Sequence, residues 1–153
     1  MELQRTLILV KPDAVQRQII GRIISRFEEK GLKIIAAKFM QISPELAAKH
    51  YAAHQGKYFY QGLVDFMTSG PVVAMVLQAP RVIEMTRKIM GATFGCDAEG
   101  GTIRGDYSAS RGLNIVHGSD SPEAAEIEIN NFFDPSEILD YDLTINQWIE
   151  GKD

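Results

Sequence analysis

Four short apolar segments stand out along the chain, and each is bounded by residues that interrupt regular structure. Residues 6–10 form a mostly apolar run that ends at a Lys-Pro pair. Residues 32–42 are rich in Ile and Phe, and residues 71–78 contain the longest uninterrupted apolar run. Residues 113–116 make the shortest of the four segments. Because short apolar runs between turn signals are typical of buried strands, we predict a strand in each segment.

The segments between these strands carry helical spacing or helix-start signals. Apolar residues recur every fourth position from Ile19 to Phe27, and Gly31 is placed to end the helix that they form. Ser-Pro pairs begin two more predicted helices, at Ser43 and at Ser121. The remaining predictions are helices at 58–67 and 80–90, a glycine-rich loop at 91–105, a helix end near 130 and a capping box at 134–137.

The predicted order is strand, helix, strand, two helices, strand, helix, loop, strand and helix. Without the pair of helices between the second and third strands, this is the βαββαβ order of the ferredoxin-like, split-βαβ plan. The fold class is therefore predicted as α/β in the broad sense, or α+β: a four-stranded antiparallel sheet with added helices. The length of 153 residues predicts one domain, residues 1–153. Such a fold does not by itself specify a function.

Composition narrows the classes of function. The chain has 16 Lys and Arg against 20 Asp and Glu, a net charge of −4 that disfavours an extended nucleic-acid surface. Cys96 is the single cysteine, so no internal disulfide forms, as in proteins of a reducing compartment. The longest apolar run, residues 72–77, is far shorter than the ~20 residues that cross a bilayer. No signal peptide is recognisable, and we predict a cytoplasmic protein without a membrane partner.

Two of the three histidines, His50 and His54, lie four residues apart on a predicted helix, a spacing that suits two metal ligands. No Glu follows His50 as in zinc peptidases, and no third ligand is evident. We therefore interpret both as ordinary surface or packing histidines. A phosphate-binding P-loop is not indicated either, because Gly56 and Lys57 lack its upstream glycine and the following Ser or Thr.

The third histidine lies in the segment NIVHGSDS, residues 114–121, between a predicted strand and a predicted helix. The adjacent Gly118 lets other groups approach the backbone closely, and the start of the next helix favours anions. A neutral imidazole is a nucleophile when its second nitrogen donates its proton to a carboxylate. Glu128 is the candidate carboxylate, directly or through Ser119. From these features alone, His117 is either a nucleophile or a core histidine at a strand end.

Phosphoryl transfer also needs cations around the migrating group. Lys11 follows the first strand, Arg87 lies on the helix before the glycine-rich loop, and Arg104 lies in that loop. Each is by itself typical of a solvated surface charge, but all three fall at element ends that can converge near His117. The apolar candidates for a slot that holds a base are Tyr51, Phe59 and Leu63. Core packing is the alternative explanation for these residues.

Four regions of the chain, one of them the loop with two matching segments, resemble nucleoside diphosphate kinases. NIVHGSDS is similar to the active-site signature of that family, and TLILVKPD at 6–13 is similar to its first strand. GAT at 91–93 and GTIRGDY at 101–107 resemble the family's loop, and the residues around NQW at 146–148 resemble its tail. The resemblance covers nearly the whole chain. It implies reversible transfer of the γ-phosphoryl group from a nucleoside triphosphate to a diphosphate, by a ping-pong mechanism through a phosphohistidine.

The resemblance also implies roles for individual residues. His117 would carry the phosphoryl group, with Glu128 and Ser119 orienting its imidazole and Tyr51 helping to position the phosphoryl group. Mg²⁺ would arrive on the nucleotide phosphates, with no direct ligand from the protein and Asp120 at most a water-mediated neighbour. The residues implied to hold the substrates are Lys11 and Asn114 at phosphate and ribose, Arg87, Thr93 and Arg104 at the phosphates, and Phe59 and Leu63 at the base. Lys11 is counted among the catalytic residues as well.

Departures from the family pattern lie in or near the loop. Gly95 and Gly100 stand where relatives usually have Pro, and Leu113 stands where a polar residue is common. Each glycine widens the unfolded ensemble at a cost of roughly 0.4–1 kcal/mol relative to a compatible residue. Members of the family are tetramers or hexamers, and the tail through Trp148 resembles the hexameric type. We predict a homo-oligomer, a hexamer rather than a tetramer, with these three positions affecting its assembly.

Two other classes of function fit parts of the sequence. An RNA-recognition module on the same fold would need aromatics on a central strand, and residues 71–78 have none. A catalytically idle scaffold or nucleotide-binding module would be marked by loss of His117 or of its cations, and neither loss is present. The partners expected are therefore nucleoside tri- and diphosphates, with no nucleic acid required.

Overall fold

The computed structural model describes residues 2–151 and shows one four-stranded sheet with helices between the strands. The strands are β1 (Leu3–Val10), β2 (Lys33–Met40), β3 (Val72–Pro80) and β4 (Val116–Gly118). The helices are α1 (Pro12–Gln16), α2 (Ile20–Glu29), α3 (Pro44–His50), α4 (Tyr60–Met67), α5 (Val82–Met90), α6 (Ile103–Tyr107) and α7 (Pro122–Phe132). Short 3₁₀ turns lie at Ala52–His54, Gly95–Asp97, Pro135–Glu137 and Asn146–Trp148.

The sheet has the strand order β2-β3-β1-β4, and every neighbouring pair is antiparallel. β1 pairs with β3 along its whole length, from Leu3 opposite Pro80 to Val10 opposite Val73. β4 pairs only with the end of β1, where Leu9 lies opposite His117. This is the predicted ferredoxin-like α+β arrangement, and the fold prediction is confirmed.

The core lies around the two central strands. The last four residues of β1, from Leu7 to Val10, are fully buried, as are most residues of β3. Strands covered on both faces are apolar without interruption, and this is why both segments were recognisable in the sequence. On α2, Ile23 and Phe27 are fully buried, and they belong to the apolar stripe predicted for this helix. The end of β1 therefore emerges from a rigid core directly at Lys11.

The prediction of a strand at 113–116 is wrong: β4 begins at Val116 and includes His117. The cause is Ile115, whose φ of 61° lies in the left-handed region, and this value interrupts an extended chain. The Val116 N–H bonds back to the Asn114 carbonyl at 2.7 Å, so the chain turns just before the strand. His117 is consequently held inside a strand, paired with β1, instead of following a strand end.

Three further points of secondary structure differ from the predictions. His50 ends α3, and His54 lies on a separate 3₁₀ turn, so the two histidines do not share a helix. The predicted loop at 91–105 is shorter, because Thr102 caps α6 through its side chain and the helix begins at Ile103. The short helix α1 was not predicted, since its Pro-led turn of five residues is too brief to show a period. Of the helices within residues 2–151, none has the length and apolar character needed to cross a membrane.

Candidate active site

His117 is hydrogen-bonded to a carboxylate on the neighbouring helix. Its Nε2 lies 3.1 Å from Oε1 of Glu128, on α7. Ser119 Oγ donates to the same oxygen at 2.6 Å and accepts the Leu7 N–H at 3.1 Å. Ser121 caps the start of α7 through its side chain, which fixes the helix relative to β4. Ser119 and Leu7 thus anchor the His117–Glu128 pair to the central strand of the sheet.

The proton of this pair can be assigned from the state of Glu128. Burial by itself would raise the pKa of Glu128, but the hydrogen bonds and charge from His117 and the bond from Ser119 outweigh it, so the pKa is lowered. Glu128 is therefore ionised at pH 7 and can only accept hydrogen bonds. The proton lies on His117 Nε2, and in a neutral ring Nδ1 then carries the free lone pair.

Lys11 is connected to the glycine-rich loop through Asn114. Its Nζ donates to Asn114 Oδ1 at 2.7 Å, and Asn114 Nδ2 donates to the Thr93 carbonyl at 2.9 Å. Burial, and then the charge of Arg104, lowers the pKa of Lys11 to about 8, while the charge of Asp13 opposes the shift. A buried ammonium that is not paired with a carboxylate is a strong attractor for an anion.

The two arginines differ in how firmly they are held. Arg104 is only 4% exposed, and burial, then the charge of Arg87, lowers its pKa to about 10, so it is charged at pH 7. Its guanidinium donates at 2.7–3.2 Å to the backbone carbonyls of Gly91, Asn114 and Val116. Arg87 is exposed and, within residues 2–151, makes one long contact, 3.5 Å to the Gly118 carbonyl. Arg104 is thus built into the fold, and Arg87 is free to move towards a ligand.

The strained residue Ile115 holds the corner between Lys11 and His117. Its N–H donates to Asp13 Oδ2 at 3.1 Å, and its carbonyl accepts the Lys11 N–H at 2.9 Å. The side chain is fully buried. A positive φ at a β-branched residue costs about 1–3 kcal/mol and persists only where the surroundings impose it. These bonds impose it here and fix the end of β1 beside the start of β4.

The predicted residues surround one cavity of about 400 Å³. Its walls include Lys11, Tyr51, Leu63, Arg87, Thr93, Arg104, Asn114, His117, Asp120 and Glu128. Two predicted residues are not part of this wall. Ser119 is fully buried behind Glu128, and Phe59 lies farther out, 39% exposed, with its ring 5.3 Å from that of His54. The structure therefore brings the predicted cations, the histidine and the carboxylate together.

His50 also belongs to this cavity, although the sequence predicts only an ordinary surface or packing histidine there. It does pack, since its ring meets Phe132 edge-on at 5.1 Å, but it lies equally close, 5.1 Å, to the ring of His117. The two histidines are far apart in sequence, so no spacing signal connects them. The adjacent Tyr51 is buried, and burial together with the charge of Glu128 raises its pKa, which keeps its phenol neutral. The only hint was that the resemblance gives the next residue, Tyr51, a role in positioning the phosphoryl group that His117 would carry.

Comparison with known proteins identifies the family of the chain. The family model described as nucleoside diphosphate kinase matches residues 4–138. A nucleoside diphosphate kinase of Halalkalibacterium halodurans is 52% identical over 147 residues, covering 96% of this chain and 100% of the relative. A nucleoside diphosphate kinase of Carboxydothermus hydrogenoformans is 54% identical over 147 residues, with coverage of 96% and 99%.

Solved structures give the same result. A halophilic nucleoside diphosphate kinase from Halobacterium salinarum in complex with CDP superposes with a TM-score of 0.95 at 49% identity, covering 98% of this chain and 100% of that one. A family protein from Babesia bovis superposes with a TM-score of 0.93 at 42% identity, with coverage of 96% and 99%. The chain therefore belongs to the nucleoside diphosphate kinase family of nucleotide phosphotransferases.

Proposed function

We propose that the protein moves the γ-phosphoryl group of a nucleoside triphosphate to a nucleoside diphosphate in two half-reactions, with Nδ1 of His117 as the nucleophile. The observation that carries this proposal is the bond from His117 Nε2 to Glu128, because it leaves the lone pair on Nδ1. In the first half-reaction an N–P bond forms and the bond from the γ-phosphorus to the bridging oxygen breaks, so that the diphosphate leaves. In the second, a diphosphate oxygen attacks the same phosphorus and frees Nδ1.

Glu128 and Ser119 are the proposed positioning residues for this nucleophile. As Nδ1 bonds to phosphorus the imidazole becomes positively charged, and the ionised Glu128 beside Nε2 stabilises that charge. Ser119 holds the accepting oxygen of Glu128 in place from the backbone of Leu7. No separate catalytic base is needed, because the attacking nitrogen has no proton to lose.

The cations around the cavity are proposed to hold the polyphosphate. In a phosphoryl transition state, negative charge spreads over the equatorial oxygens, so fixed positive groups stabilise it. The residues proposed to contact the phosphates are Lys11, Arg87, Thr93 and Arg104, with Lys11 and Asn114 also reaching the ribose. Tyr51 borders the same cavity with a neutral phenol, which suits a hydrogen bond to the migrating group.

The base is proposed to stack on Phe59, with Leu63 beside it. The ring of Phe59 is partly exposed at the outer side of the site, and Leu63 lies in the cavity wall. Stacking on an aromatic face depends little on the identity of the base. We therefore expect the protein to accept most bases and both sugars.

Mg²⁺ is proposed to enter as part of the nucleotide substrate. Mg²⁺ prefers oxygen ligands and usually keeps several waters while bridging substrate phosphates. In the cavity wall, Oε1 of Glu128 is taken by His117 and Ser119, which leaves Asp120 as the exposed carboxylate. Asp120 would contact the ion through water.

Homo-oligomerisation in the cytoplasm is proposed on the resemblance and on the apolar surface. Phe39 on the edge strand β2 is 63% exposed, and Trp148 in the tail is 82% exposed. Large exposed apolar side chains of this kind mark protein contacts when they cluster. We expect a hexamer. The molar mass of the protein in solution measures the number of chains in the assembly.

The decisive experiment is brief incubation with ATP and Mg²⁺ followed by intact-mass measurement. We expect one acid-labile phosphoryl group per chain, lost on addition of any nucleoside diphosphate and not formed by His117→Ala. An adduct that persists in His117→Ala would place the nucleophile elsewhere. An adduct that diphosphates do not remove would show a phosphohistidine protein of another kind, and complete absence of an adduct would favour an idle scaffold.

A further inference from the structure

The cavity contains a cluster of potential metal ligands that includes His50, a residue that the phosphoryl-transfer proposal does not use. One ligand atom each of His50, His117 and Glu128 lies within 4.8 Å of the other two. The sequence spacing had suggested His50 with His54, but the end of α3 at His50 separates that pair. Folding instead places His50 beside a histidine and a glutamate from β4 and α7.

The state of His50 suits a metal ligand. Its Nδ1 is buried and has no hydrogen-bond partner within the described residues 2–151. Burial, and then the nearby His117, lowers its pKa to about 4, so that the ring is neutral at pH 7. A neutral imidazole keeps one lone pair, the form in which histidine binds metals. The ring packs edge-on against the rings of Phe132 and Tyr51.

We propose that His50, His117 and Glu128 form a site for a divalent transition ion of the Zn²⁺ type, bound in place of the proton between His117 and Glu128. Two imidazoles, one carboxylate and a water are a common ligand set for four-coordinate zinc. Ligands about 2.0–2.1 Å from a tetrahedral ion are about 3.3 Å apart, close to the 3.1 Å between His117 Nε2 and Glu128 Oε1. His50 needs to move by an ångström or so to complete the site, on the order of ordinary side-chain adjustment.

Ligand chemistry separates this ion from the Mg²⁺ carried by the nucleotide. Imidazole nitrogen suits Zn²⁺, Cu²⁺, Ni²⁺ and Co²⁺, whereas Mg²⁺ prefers oxygen. The charges facing the site have opposite effects: the carboxylate of Glu128 favours a cation, and the ammonium of Lys11 disfavours it. Lys11 is engaged by Asn114, and its charge keeps the site weaker than a permanent zinc centre.

Metal binding here excludes phosphorylation, a consequence that rests on the proposed role of His117. The ion takes the lone pair of Nε2, and the proton that Nε2 carried moves to Nδ1 of the same ring. No proton is released, and Nδ1 no longer has a lone pair to form the N–P bond. The bound ion and the phosphoryl group therefore compete for one imidazole, and the ion acts as a reversible inhibitor.

Binding is tested on the full chain without nucleotide, by titrating Zn²⁺ in a calorimeter and Co²⁺ by visible absorption. We expect one ion per chain and a four-coordinate cobalt spectrum. His50→Gln should weaken affinity by about 100-fold or more, beyond what loss of a residue that only orients a ligand costs. The matched control is His54→Gln, which removes a neighbouring cavity histidine outside the cluster and should leave the affinity unchanged. Equal weakening by both variants, or by neither, would overturn the proposal.

A measurement on the unmutated chain covers the case in which His50→Gln fails to fold. Nitrogen NMR of labelled histidine should show the His117 proton on Nε2 without metal and on Nδ1 with Zn²⁺. If the His117 proton stays on Nε2 after Zn²⁺ is added, the proposed metal site is wrong.

A separate assay distinguishes this proposal from the proposed function. Zn²⁺ loading should block the phosphoryl adduct, and chelation followed by fresh Mg²⁺ should restore it. If the adduct never forms even without zinc, the phosphohistidine proposal fails while the metal site stands. If the phosphoryl adduct forms equally well with zinc bound, the proposed competition between the ion and the phosphoryl group is wrong.

Discussion

His117 Nε2 and Glu128 Oε1 lie 3.1 Å apart, and this contact leaves the lone pair of a neutral His117 ring on Nδ1, the nitrogen that we propose as the nucleophile. We expect Glu128→Gln to slow phosphohistidine formation on the order of 10²-fold or more, because an amide can donate to Nε2 and stabilise the wrong tautomer. Single-turnover measurement with labelled ATP reports this rate. Nucleotide affinity, measured without turnover, should change little, so an affinity loss as large as the rate loss would contradict the role.

Ser119→Ala is the matched control for that variant. It removes one bond to Glu128 but keeps the carboxylate, so the rate should fall less than in Glu128→Gln. It also leaves the buried Leu7 N–H without its acceptor, which should cost about 1–3 kcal/mol of unfolding free energy. Urea unfolding measures that cost. A rate loss equal to that of Glu128→Gln would show that Ser119 acts directly.

The buried Lys11 predicts coupling between nucleotide binding and protons. Its pKa of about 8 in the protein means that the ammonium loses its proton as pH rises above 8. An anionic ligand favours the charged form, so affinity should fall between about pH 7 and about pH 9, and binding near pH 8.5 should take up a proton. Calorimetry in buffers of different ionisation enthalpy measures that uptake.

Lys11→Arg provides the control, because a guanidinium keeps its charge across this range. The variant should show no proton uptake, whatever its affinity. For folding the sign is opposite: between pH 8 and 10.5 the unfolded chain binds more protons at Lys11, so this group's contribution to stability rises with pH. Uptake that persists in Lys11→Arg would assign the proton to another group.

The two arginines should separate in their effects on stability. Arg104→Lys loses a guanidinium bonded to three backbone carbonyls, and we expect the unfolding free energy to fall by about 1.5–3 kcal/mol or more. Arg87→Lys removes a single 3.5 Å contact on an exposed side chain, so stability should change by less than about 0.5 kcal/mol. Both should weaken nucleotide binding. Urea unfolding at one protein concentration compares the two variants. Equal losses of unfolding free energy would contradict the conclusion that Arg104 is built into the fold and Arg87 is not.

The two unusual glycines of the loop should also behave differently. A Cβ at Gly95 would lie 2.1 Å from Ser108 Oγ and 2.4 Å from its backbone oxygen, and the Gly95 N–H bonds to the Ser110 carbonyl. Gly95→Ala should therefore cost about 1–3 kcal/mol, and Gly95→Pro more, since it also removes this donor. A Cβ at Gly100 would meet no atom of the described part of the chain within 4 Å.

Gly100→Ala is accordingly the control, expected to be neutral or to stabilise by about 0.4–1 kcal/mol. From the sequence, both glycines are predicted to cost stability relative to a compatible residue. The contact with Ser108 shows that no side chain fits at Gly95 in this conformation. Thermal or urea unfolding of both variants checks this. A stabilising Gly95→Pro would show that the loop rearranges.

Part of the candidate site could be predicted from the sequence, because the patterns that indicate it lie within short segments. NIVHGSDS combines a histidine, a glycine and a helix cap within eight residues, and Glu128 lies on the helix that follows this segment. Lys11, Arg87 and Arg104 were recognised because they stand at element ends, where charges face a common edge. Their meeting at one cavity could not be derived from spacing, and the resemblance supplied it.

The amino-acid sequence by itself determined the βαββαβ order, the two central strands and the nucleophile candidate, because apolar periodicity and capping act over neighbouring residues. Only the tertiary structure decided the start of β4, since the positive φ of Ile115 is imposed by bonds to Asp13 and Lys11, about a hundred positions away. It also decided that His50 faces His117 instead of His54. Contacts between distant segments depend on how the strands and helices pack against one another, and no local sequence pattern encodes that packing.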